Sequence, residues 1–172
     1  MIIERNYTMI LIAHASKNWG IGRNNDLMFR LPQDMKFFRE TTSGGVVIMG
    51  RKTLESFPGA KPLPKRVNIV LSRDADFSAE GVTVVHSAEE AAKAAGEYTD
   101  RKIFVIGGAK IYELMLPYCD TALITKVLED ADADAFIRDF DADPDWELTS
   151  ESEDIDDNGH MIRFCEYRRR VI

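Results

Sequence analysis

Apolar residues fall in short runs along the chain, and helix-like patterns separate the runs. Residues 9–15 (MILIAHA), 46–49 (VVIM), 67–71 (VNIVL), 82–85 (VTVV), 102–106 (KIFVI) and 122–127 (ALITKV) read as strands. Those that are apolar at nearly every position predict strands buried on both faces, as at the centre of an α/β sheet. Between them, residues 32–41 read as a helix with Pro32 in its first turn and Phe37 and Phe38 further along. Ser87-Ala88-Glu89-Glu90 is a capping box that opens an alanine-rich helix ending near Gly96. A third helix begins at Gly108 and stops at Pro117. Past Pro144, segments 146–154 and 160–168 flank Asp157-Asn158-Gly159, and Asn-Gly between strand-like runs predicts a tight hairpin.

This order predicts one α/β domain over residues 1–172. Its central sheet is mixed and mostly parallel, with an antiparallel C-terminal edge hairpin and helices on both faces. Neither repeats nor low-complexity tracts interrupt it. The longest irregular stretch, 17–31, exceeds an ordinary connection inside a compact domain; stretches of that length are functional lids or disordered.

Composition narrows the function classes. A chain of 172 residues, 45% hydrophobic and 30% charged, is ordinary for a soluble domain with a core. No apolar run approaches the roughly 18 residues that cross a bilayer, and the N-terminus lacks the pattern of a signal peptide. Cys119 and Cys165 form no CxxC motif, which predicts reduced thiols in the cytoplasm. His14, His86 and His160 are far apart, so no metal site is predicted. The net charge of −7 argues against nucleic acid as a partner, yet leaves room for a small anionic ligand. Arg168-Arg169-Arg170 reads as a solvated tail.

Several residues carry candidate chemistry. Asp34 sits in the first turn of its helix, four residues before Phe38, so both share a face. Read alone, it is either a carboxylate favoured by the helix dipole, or an acceptor of two parallel N–H bonds from a flat heterocycle lying on Phe38. A buried strand runs into Gly50-Arg51-Lys52-Thr53, where a cationic helix start suits either phosphate or plain solvent. Gly107-Gly108 repeats the strand–glycine–helix logic, but without the third glycine of GxGxxG. Arg66 and Arg73 stand at opposite ends of the third strand and would serve different anions. There is no P-loop, no GxSxG and no thiol–imidazole pairing, so nucleophilic catalysis has no support.

Taken together the segments resemble dihydrofolate reductases of the bacterial chromosomal type, over Met9 to about Arg170. The resemblance rests on ordered pieces: Ile12-Ala13 with Ile21-Gly22; Leu31-Pro32-x-Asp34 with Phe38; and Ile48-Met49-Gly50-Arg51-Lys52-Thr53. Pro62-Leu63-Pro64-x-Arg66 with Asn68 to Ser72, and Ile106-Gly107-Gly108 with Tyr112, complete the series. The resemblance implies NADPH-dependent reduction of dihydrofolate to tetrahydrofolate, by hydride transfer to pterin C6 and protonation at N5. It also implies a cytoplasmic monomer that takes dihydrofolate and antifolates. Asp34 would pair with pterin N3 and the 2-amino group, with Thr125 bonded to it, and Leu27 and Phe29 would complete the catalytic group from the loop. Ile12 and Ile106 would offer carbonyls, and Ala13, Met35, Phe38 and Tyr112 would line the substrate side. Phe57 and Leu63 would hold the aminobenzoyl group, and Arg66 the α-carboxylate of the glutamate tail. The cofactor side would comprise Ala13, Ile21, Gly22, Gly50, Thr53, Leu71, Ser72, Ile106, Gly107, Gly108, Ala109 and Ile111. Arg51, Arg73, Lys52 and Lys110 would surround the 2′-phosphate, and loop 17–31 would close over the nicotinamide.

The chain departs from the family pattern in places. Met28-Phe29 replaces Pro-Trp, which removes an indole N–H donor. His14 falls where a small residue is common, with its ring free to face either side of its strand. Ala109 replaces a frequent glycine, residues 130–136 match in no firm register, and residues 1–8 precede the usual start. Two other readings compete. A same-fold reductase acting on a ribosylated pyrimidine of riboflavin synthesis would lack Asp34 and Arg66. A silent nucleotide-binding module would bind NADPH without turnover.

Overall fold

The structure is a computed structural model that describes residues 9–24 and 26–170. The N-terminal extension expected over 1–8 lies outside them. The elements in chain order are β1 (Met9–Ala15), β2 (Gly20–Gly22), α1 (Pro32–Thr42), β3 (Val46–Gly50), α2 (Arg51–Ser56), β4 (Val67–Leu71), β5 (Thr83–Val85), α3 (Ala88–Gly96) and β6 (Ile103–Gly107). They continue with α4 (Ala109–Met115), β7 (Cys119–Val127), β8 (Ala135–Phe136), β9 (Trp146–Glu151), β10 (Ile155–Asp157) and β11 (His160–Arg169). The α/β class with a mostly parallel central sheet and an antiparallel edge hairpin is the one the hydrophobic pattern predicts.

Contacts divide the chain into two units. One runs from Thr42 to Cys119 and includes the first residues of β1. Its strands are ordered β6-β3-β4-β5 and pair in parallel, with Ile48 beside both Ile69 and Val105. Val46, Val47, Ile48 and Met49 are all fully buried, which explains why β3 has no polar alternation. Helix α3 begins as its capping box predicts: the Glu90 N–H donates to Ser87 Oγ at 3.1 Å, and the His86 N–H donates to Glu90 Oε2 at 3.0 Å. It buries Ala91, Ala92 and Ala95.

The other unit holds 11–41 and 120–172. Its strand order is β10-β11-β7-β1, with β9 also on β11, and β11 pairs antiparallel with β7, β9 and β10. The hairpin turn is Asn158-Gly159, with φ of 56° and 87°. Both values are positive, as a two-residue turn matched to strand twist requires. The strand expected over 146–154 ends at Glu151, and a separate short strand, β10, follows at Ile155–Asp157. Ser152 explains the break, because its Oγ accepts the Phe164 N–H at 2.9 Å in place of a backbone partner.

Candidate active site

Helix α1 opens at Pro32, which has no N–H, after Leu31, which has no side-chain acceptor. The next amides therefore need partners from elsewhere. Asp157 supplies them from the end of β10. The Gln33 N–H donates to its Oδ1 and the Asp34 N–H to its Oδ2, each at 3.0 Å. Asp157 is buried, and the Gln33 side chain adds a 2.7 Å bond to the Asp156 carbonyl. The negative carboxylate at the positive end of the helix reinforces the cap.

The side chain leaving this anchored turn is Asp34, only 8% exposed. Its Oδ1 accepts from Thr125 Oγ1 at 2.7 Å. Thr125 is buried on β7, where pairing with β11 sets it opposite Phe164. Oδ2 lies 3.3 Å from His14 Nδ1. The His14 ring thus faces the carboxylate, and strand alternation puts Ile12 on the same face of β1. Phe38 follows Asp34 by one turn and is half-buried, while Phe37 turns to Phe164 with ring centroids 4.7 Å apart.

The loop residues divide. Phe29 packs on Leu31, Val127 and Ile162, and its ring meets the His160 ring edge-on at 5.0 Å. Leu27 and Met35, both expected in the site, are 64% and 55% exposed. Stretch 17–31 is not free of structure. Its β2 pairs with β8, the Lys17 N–H donates to the Glu129 carbonyl at 2.8 Å, and Arg23 meets Asp132 at 2.7 Å. Trp19 is buried among Phe140 and Tyr167, with Lys126 Nζ 3.5 Å from its ring centroid. Burial holds the Lys126 ammonium below the usual lysine range, against the pull of Asp141 and Asp139. Residues 130–136, which match the family in no firm register, are the tether of this loop.

The first unit carries the glycine segments. Gly50 caps α2 and Gly108 caps α4 without side-chain help. A Cβ at Gly50 would lie 3.0 Å from Ile111 Cγ1, so a larger residue there would require the Ile111 side chain to shift by a few tenths of an ångström. Gly107 has φ +127°, which strains any other residue, and a Cβ there would be in ordinary contact with the Tyr112 ring at 3.4–3.5 Å. At Gly108 a Cβ would find only Thr53 Oγ1, at 3.8 Å, so backbone approach there is open. Arg51 is held by Glu55 and Asp74, each at 3.4 Å, with its guanidinium 4.4 Å from the Phe77 ring centre. Arg73, Lys52 and Lys110 are exposed. Arg66 donates from Nε to the Pro64 carbonyl and from Nη1 to Thr42 Oγ1, both at 2.9 Å. Asn68 is buried and exchanges two 2.9 Å bonds with the Leu63 backbone, which fixes the bend that presents Leu63 and Arg66.

The family model for dihydrofolate reductase matches residues 8–169. The chain belongs to the dihydrofolate reductase family. It is 45% identical over 122 residues to a dihydrofolate reductase of Mycobacterium tuberculosis, covering 70% of this chain and 72% of that one. It is 36% identical to the dihydrofolate reductase of Bacillus subtilis, over 87% and 88% of the two chains. A solved dihydrofolate reductase from Enterococcus faecalis, complexed with NADP(H) and RAB-propyl, superposes with a TM-score of 0.85 at 31% identity. That match covers 97% of this chain and 98% of the other.

Dihydrofolate reductases are NADPH-dependent oxidoreductases that form tetrahydrofolate. The residues that resemblance places on the pterin side of such an enzyme include Asp34 and Thr125, and here the two are bonded. Sequence reasoning left the direction of the His14 ring open and missed Asp157. His14 could be noticed only as an odd residue in its motif, and Asp157 was hidden within a turn signal. Among the described residues no helix is long and apolar enough to cross a membrane.

Proposed function

We propose that this chain reduces 7,8-dihydrofolate to 5,6,7,8-tetrahydrofolate, with bound NADPH supplying the hydride that reaches pterin C6 while N5 gains a proton. The observation that carries this reading is the buried Asp34 carboxylate, with Thr125 bonded to one oxygen. An ionised carboxylate offers acceptors only, and it matches the adjacent N3–H and 2-amino donors of a pterin. Ile12 and Ile106 contribute backbone carbonyls, and Ala13, Met35, Phe38 and Tyr112 line the ring. Phe57 and Leu63 hold the aminobenzoyl group, and Arg66 takes the α-carboxylate with a guanidinium already oriented by Pro64 and Thr42.

The other group of residues fits the phosphates of a dinucleotide. Gly107 and Gly108 admit the pyrophosphate, since a Cβ at Gly108 would fill space bounded only by the Thr53 hydroxyl. Gly50, Thr53, Leu71, Ser72, Ala109 and Ile111 complete this side, with Ala13, Ile21, Gly22 and Ile106 toward the nicotinamide. Arg51 and Arg73, helped by Lys52 and Lys110, select the 2′-phosphate. Asp34 binds the pterin edge remote from N5, so water carries the proton to N5 and Asp34 orients the ring and stabilises charge. Leu27 and Phe29 belong to the loop that excludes bulk water during the transfer. The same reading makes the chain a cytoplasmic monomer that takes dihydrofolate and antifolates rather than nucleic acid. The net charge of −7 and two buried free cysteines support it.

The test is a spectrophotometric assay of the purified chain. NADPH oxidation that depends on added dihydrofolate, and that is much weaker with NADH, is expected. Binding of NADPH with no dihydrofolate-dependent turnover overturns the proposal in favour of a silent nucleotide-binding module.

A further inference from the structure

We propose that His14 is a second positioning residue for Asp34, donating from Nδ1 to Oδ2 as Thr125 donates to Oδ1. The inference rests on the reading of Asp34 as the pterin anchor.

An ionised carboxylate has two oxygens with about four lone-pair sites and no donor. Thr125 Oγ1 occupies one site on Oδ1 at 2.7 Å. His14 Nδ1 faces Oδ2 at 3.3 Å, at the long end of the hydrogen-bond range. Because the carboxylate cannot donate, Nδ1 must carry the proton in this contact. With one neighbour on each oxygen, each oxygen keeps one site for a ligand. That leaves two parallel acceptors, the arrangement that a pair of adjacent N–H donors requires. Anchors on both oxygens also stop the carboxylate turning about its Cβ–Cγ bond, so the orientation exists before the ligand arrives.

Two further observations support the assignment. The His14 side chain is 9% exposed, and its Nε2 is buried with no hydrogen-bond partner among the described residues. Burying an unpaired ring nitrogen is unfavourable, so packing alone is a poor reason for histidine at this place. The other carboxylate at this helix start, Asp157, is engaged with the amides of Gln33 and Asp34 and does not compete for the ring. An apolar or small side chain at position 14 would leave Oδ2 with one anchor fewer.

The experiment compares His14→Ala, His14→Asn, Asp34→Asn and the double variant His14→Ala/Asp34→Asn. Asn can place an amide N–H close to where Nδ1 lies. His14→Ala is expected to lower kcat/KM for dihydrofolate about tenfold, as loss of one hydrogen bond to a charged group does. The Kd for NADPH should stay within about twofold, and His14→Asn should recover most of the loss. In the Asp34→Asn background, His14→Ala should change kcat/KM by less than about twofold, because the shared interaction is already gone. Nitrogen-15 NMR of histidine-labelled wild-type protein should find the proton on Nδ1 of His14. That measurement needs no variant to fold. A proton on Nε2, additive losses in the double variant, no rescue by Asn, or full activity in His14→Ala each overturn the proposal. An unimpaired Asp34→Asn enzyme instead overturns the reading of Asp34 beneath it.

Discussion

The Asp157 carboxylate closes the amide end of the helix that bears Asp34, with the Asp34 N–H 3.0 Å from Asp157 Oδ2. A buried carboxylate in one hairpin therefore sets the backbone from which the candidate pterin-anchoring carboxylate projects. Asp157→Ala removes the acceptor for two amides and the negative charge at the helix start. It should cost about 1–2 kcal/mol of stability, the usual worth of a helix cap. Thermal melts would measure the loss, and KM for dihydrofolate should rise as Asp34 loses its footing. Asp157→Asn keeps one carbonyl acceptor and should lie between. A melt unchanged in Asp157→Ala would deny the cap any role.

Asp34→Asn keeps shape but loses the charge that accepts two N–H donors. At neutral pH turnover should fall by a factor of about 100 or more, the scale seen when a preorganised electrostatic group is removed. Part of the activity should return at low pH, where dihydrofolate protonates without help. A pH–rate profile checks both statements, and wild-type activity in the variant at neutral pH would remove Asp34 from the mechanism.

Arg66→Leu should raise KM for dihydrofolate about tenfold or more with kcat nearly kept, because the glutamate tail is remote from the reacting atoms. Arg66→Lys should recover little of this, since a lysine cannot offer the paired N–H groups that meet a carboxylate. A collapse of kcat at constant KM would place Arg66 elsewhere in the mechanism.

Arg51 is fixed by Glu55, Asp74 and the Phe77 ring, whereas Arg73 is exposed. Replacing both with glutamine should erase most of the preference for NADPH over NADH. The ratio of the two kcat/KM values reports this directly. A ratio that survives the double change would assign the 2′-phosphate to other groups.

Cys165 provides a pH test of the core. Burial, aided by Glu151, pushes its thiol up to about 11 from an ordinary 9.0. From pH 9 to about 11 the unfolded chain loses a proton that the folded chain keeps. The stabilisation is thus complete below pH 9 and is lost as pH rises through that window. Cys165→Ala removes it, while Lys126 and Tyr167 titrate in both proteins. Denaturant curves should show the stability of the wild type falling toward that of the variant across this window. A constant difference would contradict the shift.

Legibility in the sequence followed the range of the forces involved. The strands appear because buried strands need apolar side chains at every position, and β3 shows this with Val46 to Met49 fully buried. The I′-type turn at Asn158-Gly159 and the Ser87 capping box are written in residues that touch their own neighbours. Asp34 stood out by its place in the first turn of α1, but its pairing with Thr125 came only through family resemblance, because the two are 91 residues apart and nothing local joins them. Leu27 and Met35 were likewise placed by motif position alone, and both are exposed in the structure.

By itself the sequence determined the longer strands, where the chain turns, which residues begin α1, and that the chain resembles dihydrofolate reductases; the short β2, β8 and β10 carried no such pattern. Those properties depend on side-chain period and backbone preference over a few residues. Tertiary structure alone decided that the His14 ring faces Asp34, that Asp157 caps a helix 123 residues earlier, and that stretch 17–31 is tied to 129–136. Each depends on strand register and chain return, and a hydrogen bond of about 3 Å between distant residues exists only once those have been set.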